Sequence, residues 1–355
     1  MSIFFKNLIS KNKKKFLFIA ELSANHAGDL KNAIRLIKLS KQNGADFVKF
    51  QTYEKSSMTL SSSKNEFLIK DGIWKNKKLW NLYEKAQTPF FWQKKLFKYA
   101  NKEKIKAFST PFDKKGVEIL KDLKCGIIKV ASLEANDFPL LNEIAKLKKP
   151  VIFSTGTSNL SEIKKTYKFL KKKGVKDIAI LYCVSNYPSD YKDFNFNNIS
   201  ILKKEFNCVI GFSDHSNDLN VVKSAVAAGA EIIEKHVMLD NKIKTPDSKF
   251  SIKINEVSKL IKQLTVIKHM NNLNKDYFIS RKELEVVKFR RSVFVIKKVN
   301  KNEKFSYRNI KCLRPNIGIP PEKYEQLINL KSPYKLDYGK PITKKLFNKI
   351  KLYNR

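Results

Sequence analysis

Eight short apolar runs in the first 240 residues each end in a polar side chain that can take part in chemistry. They cover residues 16–20, 46–50, 105–108, 127–131, 151–153, 178–182, 208–212 and 231–233. Segments with the apolar spacing of helices follow them, at 29–43, 89–102, 113–123, 139–147, 161–173, 199–206, 218–228 and 255–270. This alternation of strand and helix predicts an α/β chain of the (β/α)8 TIM-barrel class. A parallel barrel brings all its strand ends to one mouth, where the active sites of barrel enzymes lie.

The pattern of the sequence changes near residue 270, where a polar stretch interrupts the alternation. We therefore expect a barrel domain over residues 1–270, a linker over 271–287 and a small β-rich C-terminal domain over 288–355. A domain of this size has a small core and is expected to pack on a partner. Residues 52–88 form a long excursion after the second strand, and long loops of this kind often act as lids.

The formal net charge of +39 raises the question of a nucleic-acid partner. Arginine, whose forked side chain commonly reads phosphates and base edges, supplies little of this charge. Lysine supplies most of it and is spread over nearly every predicted helix. That distribution favours solvated helix faces over a polyanion site, so we expect no nucleic-acid partner. The positive field would still help to draw in an anionic substrate.

No apolar run approaches the ~20 residues that a membrane-spanning helix needs. The N-terminus places an apolar stretch before its basic cluster, which is the reverse of a secretory signal. We therefore expect a cytoplasmic protein with no membrane partner. None of the four cysteines forms a C-x-x-C pair, so neither a zinc ribbon nor a redox dithiol is indicated.

His215 and His236 follow the seventh and eighth predicted strands. Neighbouring strands lie about 5 Å apart, so two imidazoles at their ends can share one metal ion. Each histidine has a carboxylate close by in the sequence, Asp214 and Glu234, that would orient a ring or hold metal-bound water. The alternative is two unconnected histidines, one in the core and one at the surface. Their position at adjacent strand ends favours the metal site.

Lys49 and Lys129 lie near the ends of the second and fourth predicted strands, where burial is costly unless an anion meets them. Hydroxyl side chains stand at neighbouring strand ends, at Ser132, Ser154, Thr155, Ser185 and Ser213. This set favours a phosphate or phosphoenol ligand, and the glycine fingerprints of nucleotide-binding loops are absent. The alternative is that the lysines pair with Glu21 and Glu134 and fill the barrel top. Otherwise these two carboxylates are candidates for proton transfer or sugar contacts.

Nine motifs occur in the order in which one known family carries them: IAELSANHAGD (19–29), GADFVKFQTY (44–53), FSTPFD (108–113), IKVASLE (128–134), STGT (154–157), CVSNYP (183–188), GFSDHS (211–216), IEKHVMLD (233–240) and PDSKFS (246–251). They resemble the sialic acid synthase family. RRSVFV (290–295) and LRPNIGIPP (313–321) resemble the antifreeze-like (SAF) domain of that family. Within the family, ELSANH, TPFFW (88–92) and DSKFS are most similar to the pseudaminic acid synthase branch.

The resemblance implies a metal-dependent condensation of phosphoenolpyruvate with 2,4-diacetamido-2,4,6-trideoxy-L-altrose, which gives pseudaminic acid and phosphate. The same reaction on N-acetylmannosamine or on 2,4-diacetamido-2,4,6-trideoxymannose, as in N-acetylneuraminate or legionaminate synthases, is the alternative. Two alternatives involve no catalysis: a polyanion-binding protein built on an inactive barrel, and a sugar-binding scaffold. The retained strand-end residues argue against both.

The resemblance also implies roles for individual residues. His215 and His236 would hold a divalent metal, Mn²⁺ or else Mg²⁺ or Co²⁺. The phosphoenolpyruvate site would comprise Lys49, Thr110, Lys129, Ser132, Ser154, Ser185 and Ser213. The sugar would contact Gln51, Tyr187, Asp247 and Arg314, the last from the partner subunit of a domain-swapped homodimer. The catalytic carboxylates would be Glu134, Glu21 and Glu234.

Overall fold

The computed structural model describes residues 3–271, 277 and 279–355. The chain divides into two compact units, Met1–Asn272 and Leu273–Arg355. The predicted domain bounds at 270 and 288 remain predictions, and part of the predicted linker, at 272–276 and 278, lies outside the described residues. No helix in the described part of the chain has the length and apolar character needed to cross a membrane.

The first unit is a closed parallel barrel. Its strands are β1 Leu17–Glu21, β2 Phe47–Thr52, β3 Lys106–Pro111, β4 Ile128–Val130, β5 Val151–Ser154, β6 Ile178–Cys183, β7 Val209–Asp214 and β8 Ile232–Met238. Each pairs in parallel with the next, and β8 returns to pair with β1, so that Glu21 lies opposite His236. The predicted TIM barrel is therefore confirmed. A short extra strand, β9 (Ile252–Lys253), which was not predicted, extends the sheet beside the end of β8.

Helices surround the barrel, apart from Lys55–Met58 and Leu79–Ala86, which belong to the 52–88 excursion and contribute to the cavity lining. In chain order the helices of this unit are α1 Ile3–Lys11, α2 Leu30–Gln42, α3 Lys55–Met58, α4 Leu79–Ala86, α5 Phe90–Lys102, α6 Lys114–Asp122, α7 Phe138–Lys146, α8 Leu160–Lys172, α9 Asn197–Glu205, α10 Leu219–Ala227 and α11 Val257–Met270. Local sequence sets their ends: the Asp29 carboxylate caps α2 by accepting the N–H of Lys31. The chain leaves α2 through Gly44, whose φ of +88° favours glycine.

In the first unit, helix α1 and the helices of the 52–88 excursion were not predicted. Helix α1 buries Phe5 and Ile9 against the barrel, and the backbone N–H of Phe4 donates to Asp177. The excursion over residues 52–88 contains α3, α4 and two short 3-10 turns, Asn65–Phe67 and Gly72–Trp74. This segment therefore has a defined shape.

Strand side chains alternate between the barrel interior and the helix layer. The helix-facing core is rich in phenylalanine, including the fully buried Phe18 and Phe212; each such ring contributes about 1.5–3 kcal/mol of burial free energy. On β8, Glu234 and His236 face the interior, whereas Lys235 between them faces the helices. The alternation therefore gathers chemically active side chains at the barrel's centre.

The second unit has its own apolar core, which includes Val293, Phe305 and Phe347. Strands β10 (Ser292–Val295) and β11 (Ile310–Leu313) form an antiparallel pair. Helices α12 (Arg281–Val286) and α13 (Lys344–Tyr353) flank this sheet in the sequence. The expected small C-terminal domain with β-structure is confirmed.

Candidate active site

One cavity of about 210 Å³ opens at the carboxyl ends of the barrel strands. Most of the predicted site residues line it: Lys49, Gln51, Lys129, Ser132, Glu134, Ser154, Tyr187, Ser213, His215, Glu234, His236 and Asp247. Glu21, Thr110 and Ser185 lie behind this lining, each in contact with a residue of the cavity wall. Arg314 is an exposed residue of the second unit.

Lys49 lies on the cavity floor between two carboxylates. Its ammonium group forms an ion pair with Glu21 and lies 3.7 Å from the Oε2 atom of Glu234. It also donates to the Thr110 hydroxyl at 3.2 Å. Burial lowers the pKa of Lys49 to about 8, because the charged form loses water, although Glu234 opposes the shift. The sequence left open the alternative that the two lysines pair with Glu21 and Glu134. The pairing of Lys49 with Glu21 agrees with the first half of that alternative.

Lys129 lies on the opposite side of Glu234. Its ammonium group donates to Ser154 at 2.6 Å and lies 3.8 Å from the Oε1 atom of Glu234. Ser213 donates to that same oxygen at 2.9 Å. Burial alone would raise the pKa of Glu234, but Lys129, Lys49 and the Ser213 hydroxyl outweigh it and hold the pKa well below its usual range. Glu234 therefore links the two lysines as a carboxylate.

Glu134 lies at the rim on the short 3-10 turn after β4. Its Oε2 atom is buried without a hydrogen-bond partner, and Glu134 forms no ion pair, among the residues that the structure describes. Burial raises its pKa to about 7. The second half of the alternative interpretation, a lysine paired with Glu134, is therefore wrong. A carboxyl group with this pKa exchanges a proton readily at neutral pH.

His215 and His236 lie side by side, with ring centroids 5.5 Å apart. The Nδ1 atom of His215 lies 3.1 Å from the carbonyl oxygen of Val184. If Nδ1 is the donor, the lone pair of this ring is on Nε2. The Nδ1 atom of His236 lies 3.5 Å from the Oδ2 atom of Asp247, which also accepts the N–H of Ala24 at 3.1 Å.

These donors fit a divalent metal held by two histidines. The Nδ1 atom of His236 is buried and has no hydrogen-bond partner in the described part of the chain. Imidazole nitrogens with a neighbouring carboxylate, here Asp247, suit Mn²⁺ or Co²⁺, and to a lesser degree Mg²⁺. Over residues 3–271, 277 and 279–355, no three histidine, cysteine or acidic side chains form a ready ligand cluster. Two protein ligands would leave open positions for substrate, as catalytic metal sites require.

Asp214 does not take the place that its sequence position suggested. It faces the helix layer, forms an ion pair of 2.8 Å with Lys235 and accepts the hydroxyl hydrogen of Ser216. Asp214 therefore makes no direct hydrogen bond or ion pair to either histidine ring among the residues that the structure describes. Asp247, which the sequence suggested for the sugar, is the carboxylate beside His236.

Sequence reasoning missed four aromatic side chains of the cavity lining, which we call the aromatic wall. It consists of Tyr53, Trp74, Tyr83 and Phe112, of which the first three belong to the 52–88 excursion. Tyr53 packs edge-on against both Tyr83 and Phe112, with centroid distances of 6.1 and 5.1 Å. Trp74 donates its indole N–H to the carbonyl of Pro246 at 3.2 Å, which joins the excursion to the loop after β8. The aromatic content of this long loop was the available signal.

Comparisons with known proteins agree with this geometry. The NeuB family matches residues 36–275. Pseudaminic acid synthase from Campylobacter jejuni is 41% identical over 92% of this chain and 95% of its own length. N,N'-diacetyllegionaminic acid synthase from the same species is 35% identical over 89% of this chain and 95% of its own length. A crystal structure of N-acetylneuraminic acid (sialic acid) synthetase from Leptospira borgpetersenii, with citrate, is 31% identical with a TM-score of 0.69. The match covers 76% of this chain and 90% of that one. This chain belongs to the NeuB family.

Proposed function

We propose that this protein condenses phosphoenolpyruvate with 2,4-diacetamido-2,4,6-trideoxy-L-altrose to give pseudaminic acid and inorganic phosphate. The observation that carries the proposal is the pair of buried lysines that meet at Glu234 on the floor of one cavity, beside two histidines. The greater identity to a pseudaminic acid synthase, 41% against 35% for a legionaminic acid synthase, supports the choice of sugar.

The charges of the cavity floor support an anionic substrate that arrives with a metal. Lys49 and Lys129 face three buried carboxylates, Glu21, Glu234 and Asp247. Phosphoenolpyruvate adds a carboxylate and a phosphate, so two lysines alone would leave a surplus of negative charge in a poorly solvated site. A divalent cation at His215 and His236 would offset part of this surplus and, when bound, would act as a Lewis acid toward the aldehyde of the open-chain sugar.

The protein groups then have separate tasks. Lys49 and Lys129, with the hydroxyls of Ser132, Ser154 and Ser213, hold the phosphate and carboxylate of phosphoenolpyruvate. Thr110 and Ser185 support this set from behind, through their bonds to Lys49 and Ser132.

The carbon–carbon bond forms when C3 of phosphoenolpyruvate attacks the sugar aldehyde. Positive charge then develops at C2, and water adds there. Glu134, with its pKa near 7, takes a proton from this water. The proton taken from water balances the one that the former aldehyde oxygen gains as it becomes a hydroxyl. The resulting tetrahedral intermediate expels phosphate with cleavage of the C–O bond, gives the proton of its C2 hydroxyl to the departing phosphate, and leaves a 2-keto acid. Glu21 and Glu234 keep the two lysines charged and in place.

The aromatic wall suits the methyl-bearing end of the proposed sugar. This substrate carries two acetamido methyl groups and a methyl at C6, whereas N-acetylmannosamine has hydroxyls at C4 and C6. Apolar surface from Tyr53, Tyr83 and Phe112 favours the former. Gln51, Tyr187 and Asp247 also line the cavity and offer polar contacts to the sugar.

We further propose that the protein is a cytoplasmic, domain-swapped homodimer. Arg314 of the second unit is exposed and would reach the acyl group of the sugar in the partner subunit. The small core of the second unit supports this, since a domain of this size gains stability from a partner surface. Sedimentation of the protein at several concentrations tests the dimer. The same measurement on the Arg314→Ala variant shows whether the arginine is needed for the dimer or only for the sugar contact.

A substrate panel tests the proposed function. Phosphate release with Mn²⁺ is measured for the altrose derivative, for 2,4-diacetamido-2,4,6-trideoxymannose and for N-acetylmannosamine. We expect the highest kcat/KM on the altrose derivative. A preference for either mannose sugar would retain the reaction and change the substrate. Folded, metal-loaded protein that releases phosphate with none of them would overturn the proposal.

A further inference from the structure

A buried ion pair lies behind the two histidines, on the face of the barrel wall that meets the helices. Asp214 on β7 is directly opposite Lys235 on β8 in the strand register, and their charged atoms are 2.8 Å apart. Asp214 is fully buried and Lys235 is 1% exposed. The pair preceding it on the same face, Phe212 and Ile233, is apolar and fully buried. The charges thus interrupt an otherwise apolar layer.

This ion pair fixes the backbone on both sides of His215. Asp214, which precedes His215, accepts the backbone N–H and the hydroxyl of Ser216, at 2.9 and 2.7 Å. Ser216, which follows His215, accepts a hydrogen bond from Lys235 through its carbonyl oxygen. Lys235 in turn directly precedes His236. Three residues adjacent to the two histidines are therefore joined in one closed network.

Stability alone gives little reason for such a network. A buried ion pair commonly contributes no more than an apolar pair of the same volume, because both charges lose their hydration. Its distinctive property is direction: charged hydrogen bonds fix the positions of their partners more narrowly than apolar contacts do. The neighbouring apolar pair shows that this layer accepts such residues.

We infer that Asp214 and Lys235 are a positioning pair, which sets His215 relative to His236 and thereby raises the affinity of the histidine site for a divalent metal. The inference rests on the metal role within the proposed function. Supporting groups of metal ligands typically change affinity by about 10–100-fold when they are removed. We expect a loss of that size here.

The test is calorimetric titration of Mn²⁺ into metal-free protein, with Co²⁺ absorption spectra as a second measure of ligand geometry. The double variant Asp214→Asn/Lys235→Met removes both charges together, so that neither is left uncompensated. We expect Mn²⁺ affinity to fall by about 10–100-fold, with an altered Co²⁺ spectrum. The matched control is Lys203→Met/Glu231→Gln, which removes a half-exposed ion pair of 3.6 Å just before β8. Its affinity should equal that of the wild type.

The inference would be overturned if the Mn²⁺ affinity of the double variant lay within about threefold of the wild-type value, a difference in binding free energy on the order of RT. An equal loss in the control variant would do the same. If the double variant does not fold, Ser216→Ala replaces it. This change removes only the Ser216 hydroxyl, which lies 2.7 Å from Asp214 Oδ1 and 3.1 Å from the Asp218 carbonyl oxygen, and leaves both charges in place. We expect Ser216→Ala to weaken Mn²⁺ binding several-fold, and unchanged affinity would contradict the inference. This test measures metal binding. Failed turnover on every sugar would therefore overturn the proposed function and leave the inference about Asp214 and Lys235 untouched.

Discussion

Lys129 donates a hydrogen bond of 2.6 Å to the Ser154 hydroxyl, which joins the carboxyl ends of β4 and β5 at the cavity floor. Lys129 is 2% exposed. The ammonium group is thus held in one place with little water around it. Under such conditions a lysine interacts strongly with a bound anion, because the surroundings screen the charge poorly.

We expect Lys129→Met to lower kcat/KM for phosphoenolpyruvate by about 10²–10³-fold, since loss of one partner of a buried charged contact costs about 2–5 kcal/mol. Ser154→Ala should cost about tenfold, because one hydrogen bond to a charged group is lost. Steady-state kinetics at saturating sugar measures both. Lys121→Met, on the exposed side of α6, is the control. A Lys129→Met enzyme within about tenfold of the wild type would show that this lysine does not bind the substrate.

Glu134 should control the acidic limb of the pH profile. Its pKa is raised to about 7 by burial, and the ionised form is the one that accepts a proton from water. Activity should therefore fall as the pH drops below 7, by about tenfold per pH unit. Glu134→Gln should lower kcat by about 10²–10³-fold and remove this limb. The exposed Glu118→Gln should keep it, and persistence of the limb in Glu134→Gln would assign it to another group.

Metal removal should affect stability as well as activity. A chelator should abolish turnover. Mn²⁺ at about 100 times its Kd should stabilise the wild type by about 2.7 kcal/mol, because the folded state alone binds it. His236→Ala should lose the rise in Tm, whereas His269→Ala, which changes an exposed residue of α11, should retain it. Equal rises in Tm for wild type and His236→Ala would place the metal elsewhere.

The aromatic wall should set sugar preference. Phe112→Ser removes an apolar contact beside Tyr53 and should lower kcat/KM for the diacetamido altrose sugar by about 10–100-fold. The value for N-acetylmannosamine should change little, because that sugar has no methyl at C6 and no acetamido group at C4. Phe91→Ser is the control, since Phe91 is 73% exposed. An equal loss on both sugars would indicate a general defect.

The barrel could be predicted because strand-like and helix-like segments alternate along the chain and a polar residue stands at or near the end of each strand. The two histidines and two lysines followed from one rule, that parallel strand ends meet. The same rule could not predict the position of Asp214. Residues 213 to 215 all lie near a strand end, and only the register with β8 shows that Ser213 faces Glu234 while Asp214 faces Lys235. Which of these residues faces the barrel interior and which faces the helices cannot be read from the sequence of one strand alone.

The aromatic wall and Asp247 were harder for a different reason. The 52–88 excursion lacks a regular apolar period, so its sequence does not reveal which side chains turn toward the barrel. Its shape depends on contacts distant in sequence, such as the bond from Trp74 to Pro246. Asp247 was found through the family resemblance, but its position beside His236 depends on the path of the loop after β8.

The central claim is that a new carbon–carbon bond forms at C3 of phosphoenolpyruvate. The most direct measurement is a carbon NMR spectrum after incubation of the protein with phosphoenolpyruvate labelled with ¹³C at C3, Mn²⁺ and the diacetamido altrose sugar. The account predicts that the label appears as a methylene carbon coupled to a sugar carbinol, with one phosphate released per product. A label that remains in phosphoenolpyruvate, or that appears only in the methyl group of pyruvate, would contradict it.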